Sequence, residues 1–232
     1  MTESMPKYYF EGDFSAFAPL FADGSYAAAK REFAAGDLVS AQNETLRKGY
    51  FIVSGILQLK IGTEIGQERT LALFGPGSIF PIGMNEHHYR MEYAMVERAL
   101  TALEVYEFSY TELRRMADEH IELANRMIEH YCDLTSFLFY DLSLSSYGNA
   151  MVKVANVLYA LDGKMGKGGT IPLSQTQIAE VAGISRVQVA RAYRTLASEG
   201  IVSAMRNGVK VLDRAALAPF CGEGLLGQDG ME

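Results

Sequence analysis

The stretch SRVQVARAYR, residues 185–194, gathers three guanidinium groups, Arg186, Arg191 and Arg194, with the amide of Gln188 among them. A guanidinium fork fits O6 and N7 of guanine, and an amide fits N6 and N7 of adenine. On one exposed helix face this composition is chemistry for reading base edges in a DNA major groove. Val187 accepts no hydrogen bond, but its isopropyl group suits a thymine methyl. Ser174, Gln175, Thr176, Ser185, Arg194 and Arg206 suit phosphate oxygens, contacts that fix position without carrying sequence information. The competing reading is a basic helix face that is merely solvated. The residues around the arginines weigh against it.

Those residues spell two helix starts and a turn. In PLSQTQIAEVAGISRVQVARAYRTLASEGIV, Ser174 precedes Gln177 by three residues and Ser185 precedes Gln188 by three, each the pattern of a capping box. Gly183 supplies the turn between the two helices, and Ala179 is small where they must touch. Ile178, Val181, Ile184, Val189 and Leu196 supply a core, and Gly200 stands where a helix C-terminal glycine is expected. This is the order of a helix-turn-helix whose second helix faces the major groove. In IVSAMRNGVKVLD, Asn207-Gly208 then joins two short runs as a hairpin, which makes the unit a winged helix.

Charge divides the chain in the same place. Residues 149–219 hold nine Lys or Arg against four Asp or Glu, although the whole 232-residue chain carries a formal charge of −7. A basic C-terminal unit on an acidic body predicts a nucleic-acid contact in one part only. No run approaches the ~18 apolar residues of a membrane span, and MTESMPKYYFEGDF lacks a signal-peptide pattern, so a cytoplasmic protein with no membrane partner is expected. Cys132 and Cys221 match no metal or disulfide spacing, and the expectation is two ordinary thiols and no metal.

From Lys30 to Phe108 short apolar runs alternate with turn dipeptides such as Gly36-Asp37 and Ser54-Gly55, which predicts a small antiparallel β-roll; a lone helix around Phe14–Phe21 precedes it. Ser109–Asp118 reads as a short helix. Glu119–Leu144 contains no proline or glycine, and Ile121, Ala124, Ile128, Tyr131, Thr135, Leu138 and Leu142 recur at spacings of three and four, the seam of a helix that packs on a partner helix. A homodimer interface is the simplest use of it; packing on the chain's own roll is the other. Tyr147-Gly148-Asn149 is the expected hinge. The expected class is α+β, with residues 1–118 a β-roll domain, 119–148 a dimerisation helix and hinge, 149–220 a winged helix-turn-helix and 221–232 a tail.

Over roughly Ala16 to Asp213 the chain resembles the CRP/FNR superfamily of bacterial transcription regulators. The resemblance rests on YFIVSGILQL, on GPGSIF, on the long helix and above all on PLSQTQIAEVAGISRVQVARAYRTL. It implies a homodimer in which an effector bound in the roll reorients two winged helices on a palindromic operator, with RNA polymerase as a further partner. The cyclic-AMP-binding members carry a Gly-Glu pair, an Arg-Ser or Arg-Thr pair and a Thr-Ser pair for the nucleotide; here these fall on Pro81-Ile82, near Tyr93-Ala94 and near Leu138-Phe139. A phosphate buried without a counter-charge is strongly disfavoured, so a cyclic nucleotide is not expected. The cysteine cluster of the iron–sulfur members is absent from the sequence as well.

Two ligand readings stay open. Phe80, Pro81, Ile82, Gly83, Met84, Tyr89, Met91 and Tyr93, with Leu138 and Phe139, suit a small apolar or aromatic effector, as in the chlorophenol-sensing members that the chain resembles more than the cyclic-AMP type. His87 or His88 suits a haem, as in the gas-sensing members; no other cofactor is suggested. The segment is otherwise only the packed end of a roll. Where many members have a Glu that accepts from cytosine, this chain has Val187, which predicts a changed half-site. An enzyme is not expected, because GPGSIFPIG lacks Rossmann spacing and a Walker lysine, and the histidines show no HExxH pattern. The remaining rival is a ligand or adaptor module whose C-terminal unit binds protein instead of DNA.

Overall fold

The computed structural model describes residues 9–40, 48–62, 68–82, 95–147, 149–165, 169–206 and 208–222. They form two compact units, Tyr9–Cys132 and the residues from Asp133 onward, which divide the longest helix between them.

The first unit opens with β1 (Tyr9–Phe10), a 3-10 turn at Ser15–Phe17 and α1 (Ala18–Ala22). Eight strands follow: β2 (Ala28–Phe33), β3 (Leu38–Ser40), β4 (Lys48–Ser54), β5 (Leu57–Gly62), β6 (Glu68–Phe74), β7 (Ile79–Phe80), β8 (Met95–Ala99) and β9 (Leu103–Ser109). The unit closes with α2 (Tyr110–Glu119) and the first part of α3 (Ile121–Tyr147). The strands make two sheets, ordered β1-β6-β5-β8-β3 and β2-β9-β4-β7. Leu57 and Leu59 of β5, Val105 of β9, Ile52 of β4 and Ile79 of β7 are buried, as alternating apolar residues on facing sheets must be. Phe14, Phe21, Phe51, Phe108, Leu113, Met116, Leu123 and Met127 join strands, α2 and α3 in one core.

Three features differ from the sequence expectation. β1 pairs with β6 in parallel, Tyr9 opposite Leu73, so the roll is not wholly antiparallel. The helix expected around Phe14–Phe21 is split into a 3-10 turn and α1. The break between α2 and α3 falls at His120, not before Glu119: the His120 backbone is extended, and its Nε2 lies 3.0 Å from the Tyr26 hydroxyl, which donates to Glu119 at 2.6 Å.

The second unit holds the rest of α3, then α4 (Ala150–Leu161), β10 (Thr170–Ile171), α5 (Gln175–Ala182), α6 (Arg186–Ser198), β11 (Val202–Met205), β12 (Gly208–Val211) and α7 (Arg214–Leu217), ending in a 3-10 turn at Ala218–Phe220. Val154, Val157, Leu158 and Leu161 of α4, Ile178 of α5, and Val189 and Leu196 of α6 are fully buried. Each contributes about 1.5–3 kcal/mol of transfer free energy, which locks three helices into one body. The hairpin β11-β12 gains β10 as a third strand through Thr170 opposite Lys210. At ~1.5 Å per residue, the 27 residues of α3 span ~40 Å. Among the described residues no helix is long and apolar enough to cross a membrane.

Candidate nucleic-acid interface and effector loop

Two capping boxes fix where the C-terminal helices begin. Ser174 Oγ accepts from the Gln177 N–H at 3.3 Å, and Gln177 Oε1 accepts from the Ser174 N–H at 2.9 Å. Ser185 and Gln188 repeat the geometry at 3.3 and 2.9 Å. Between the helices Gly183 takes φ +62°, a left-handed conformation that a side chain would strain, and the Ile184 N–H closes the turn on Ala179 O at 3.1 Å.

α6 is two-sided. Val189, Ala192, Tyr193 and Leu196 face the core, and burial raises the Tyr193 hydroxyl well above the usual tyrosine range. Arg186, Val187, Gln188, Arg191 and Arg194 face solvent, Val187 with 61% of its surface exposed. Arg186, Arg191, Arg194 and the wing's Arg206 have no carboxylate partner among the described residues. By contrast, Arg214 is held by Asp162 at 3.2 Å and lies 3.6 Å over the Tyr159 ring, so its role is structural. Uncompensated guanidiniums on a rigid helix are the arrangement that neutralises phosphates and grips base edges without prior breaking of ion pairs.

The hydroxyl protons of Ser174 and Ser185 already point to Gln177 and Gln188 Oε1, at 2.9 and 3.0 Å. Thr176 is exposed and Gln175 half-buried in the first turn of α5, where backbone N–H groups and the helix dipole favour an anion. Thr195 and Ser198, not singled out from sequence, line a shallow concavity with Arg191 and Arg194. Their signal was the helical spacing of four residues from each arginine. Asn207 lies outside the described residues.

The turn Gly75–Ser78 leads into the candidate effector segment. Phe80 is buried and stacks on Phe74 at 4.2 Å between ring centroids; Pro81 is buried; Ile82 belongs to the roll core, and its carbonyl accepts from the Tyr131 hydroxyl. Gly83, Met84, Tyr89, Met91 and Tyr93, and both His87 and His88, lie outside the described residues. Leu138 and Phe139 are exposed on α3, Phe139 at 69%. Ile121, Ile128, Tyr131 and Leu142 are exposed with them, whereas Leu123, Met127 and Phe137 are buried, so α3 carries one covered and one open apolar stripe. Cys132 is exposed and Cys221 half-buried, both as free thiols. No cluster of three metal-ligating side chains occurs among the described residues.

Two family models match the chain, a cyclic nucleotide-binding domain over residues 30–120 and a Crp-like helix-turn-helix domain over residues 152–220. The chain is 30% identical over 197 residues to the cyclic AMP receptor protein of Thermus thermophilus, covering 83% of this chain and 84% of that one. Its fold is similar to that of FixK2 from Bradyrhizobium japonicum, with a TM-score of 0.74, 17% identity and coverage of 84% and 98% of the two chains. It is similar also to TTHA1359, a CRP/FNR-family transcriptional regulator from Thermus thermophilus, with a TM-score of 0.67, 18% identity and coverage of 83% and 97%.

Proposed function

The chain belongs to the CRP/FNR family of transcription regulators, and from that premise we propose that it works as a homodimer on a palindromic operator, one α6 in the major groove of each half-site. The observation that carries this reading is the exposed face of α6, where Arg186, Val187 and Arg191 stand without internal partners among the described residues, on a helix started by a capping box. Arg186 and Arg191 address guanines and Val187 a thymine methyl, with Gln188 reaching a base only on leaving its cap. Thr176, Gln175, Arg194 and Arg206 take phosphates.

Dimerisation is supported by the open stripe of α3, Ile121, Ile128, Tyr131, Leu138 and Leu142, which repeats at the heptad spacing of a two-helix seam. Two half-sites ~34 Å apart need two recognition helices held at that separation. The proposed effector is a small apolar or aromatic molecule, not a cyclic nucleotide: Phe80, Pro81 and Ile82 are buried and uncharged where a buried phosphate needs a cation. RNA polymerase is the proposed partner at the promoter.

Selection of binding sites from a random duplex pool tests the reading. An enriched palindrome with guanine opposite Arg191 and no required cytosine at the Val187 position supports it. A pool that shows no enrichment, or an asymmetric site, overturns it.

A further inference from the structure

The N-terminal segment 9–17 touches two things at once, the Gly75–Ser78 turn and α3. On the turn side the Gly75 N–H donates to Phe10 O at 2.8 Å, the Gly12 N–H to Pro76 O at 2.9 Å and the Phe14 N–H to Gly77 O at 2.7 Å. The two turn glycines serve this contact. A Cβ on Gly75 would overlap the Tyr9 hydroxyl, and one on Gly77, whose φ is +73°, would overlap Ser15 Oγ.

On the helix side the meeting point is Asp13. Its carboxylate, 7% exposed, accepts from Arg126 Nη2 at 2.7 Å and faces His130 Nδ1 at 3.3 Å; its carbonyl accepts from Arg126 Nε at 2.9 Å. Arg126 and His130 are one helical turn apart, so a single face of α3 grips a single residue. His130 is 1% exposed, with its ring against Phe10 at 5.3 Å, Phe14 at 5.4 Å and Phe74 at 6.3 Å, and so packs on the segment and on the strand that enters the turn.

We infer that residues 9–17 are a coupling strap that makes the turn ahead of the effector loop and the first half of α3 move as one, with Asp13 as the positioning residue. Asp13 lies between Gly12 and Phe14, both bonded to the turn, so a displaced turn carries Asp13 with it. α3 must then follow, or a buried carboxylate must part from its guanidinium. Arg126 is 30% exposed and also holds Glu129, but the Asp13 carboxylate is 7% exposed, and leaving it without its guanidinium is strongly unfavourable, which makes following the cheaper response. Packed contacts of this kind shift between discrete arrangements and do not stretch. The inference rests on the proposed reading of α3 as the dimer helix and of the loop after Phe80 as the effector loop.

Hydrogen exchange read by mass spectrometry on the full chain tests it without effector or DNA, so its outcome is separate from that of the operator reading. Gly77→Ala perturbs the turn end only, Asp13→Asn the helix end only, and Arg126→Met keeps most of the side-chain volume while removing the helix-side charge. The expected result is a rise of at least tenfold in exchange over residues 121–132 in Gly77→Ala and over 73–80 in both Asp13→Asn and Arg126→Met, with β2 and β9 unchanged. Changes confined to the mutated end and the strap would overturn the coupling. A uniform rise across the whole roll would also overturn it, since that is loss of stability alone. If Asp13→Asn does not fold, Gly77→Ala and Arg126→Met decide the question between them.

Discussion

Gln188 Oε1 lies 2.9 Å from the backbone N–H of Ser185, so the amide best suited by type to read adenine closes the capping box of its own helix. The same atom receives the Ser185 hydroxyl at 3.0 Å. To grip a base in the bidentate manner the side chain must first vacate the cap. Gln188→Ala is therefore expected to cost ~1 kcal/mol of stability and to leave the base preferences of the protein nearly unchanged. Denaturant unfolding and a repeat of the site selection check the two halves of this statement. A lost adenine preference with unaltered stability would reverse the assignment.

Arg191 and Arg206 are both exposed and have no carboxylate partner among the described residues, but they sit on different elements, the middle of α6 and the turn at the end of the wing strand β11. Arg191→Ala should cost ~1–3 kcal/mol of specific binding and relax preference at one base pair of each half-site. Arg206→Ala should weaken binding to every sequence alike and lower the salt slope by about one per protomer. Titrations of each variant on selected and scrambled duplexes, at several salt concentrations, separate the two.

Ile128 and Leu142 are 63% and 64% exposed on the open stripe of α3. A glutamate at either site leaves the fold of the single chain intact, because the side chain already faces solvent, but it puts a charge on the proposed seam. Ile128→Glu and Leu142→Glu should sediment as folded monomers and bind operator at least tenfold more weakly than the unmodified chain. Dimers of unchanged affinity would place the interface elsewhere.

Burial pushes the Cys221 thiol up to about 12, with the nearby Arg214 charge opposing the shift. At pH 8 such a thiol is ionised in about one molecule in 10⁴, so it should resist iodoacetamide in the native protein and react once the chain is unfolded. With its folded value raised above about 9, the neutral thiol contributes fully to stability below pH 9, and the contribution is lost as pH climbs toward 12. Peptide mapping of alkylated native and unfolded protein checks the reactivity, and melting curves between pH 8 and 11 check the trend.

What could be read from sequence follows how local each feature's cause is. Ser174, Gln177, Gly183, Ser185 and Gln188 act on neighbours three or four residues away, and their two capping boxes and left-handed turn occur as the sequence predicts. β1 and β10 have two residues each and owe their existence to Leu73 and Lys210, far along the chain, so no periodicity announces them. The break at His120 contains no glycine or proline; the Tyr26 hydroxyl, 94 residues away, holds it. Gly75 and Gly77 stand out in GPGSIF as part of the family resemblance, but what they admit at close range is the N-terminal segment, a partner their own spacing does not disclose. The proposed effector loop was legible only as a loss of charge, because an apolar run such as Phe80-Pro81-Ile82 has the same composition whether it lines a pocket or fills a core.

Fluorescence anisotropy of the full chain on a selected palindromic duplex, across a range of salt, tests the central claim most directly. The expected result is two protomers per duplex, affinity at least 10³-fold above that for a scrambled duplex, and a log–log fall with salt whose slope corresponds to several neutralised phosphates. Equal affinity for both duplexes, or binding indifferent to salt, would contradict the assignment of α6 as a recognition helix.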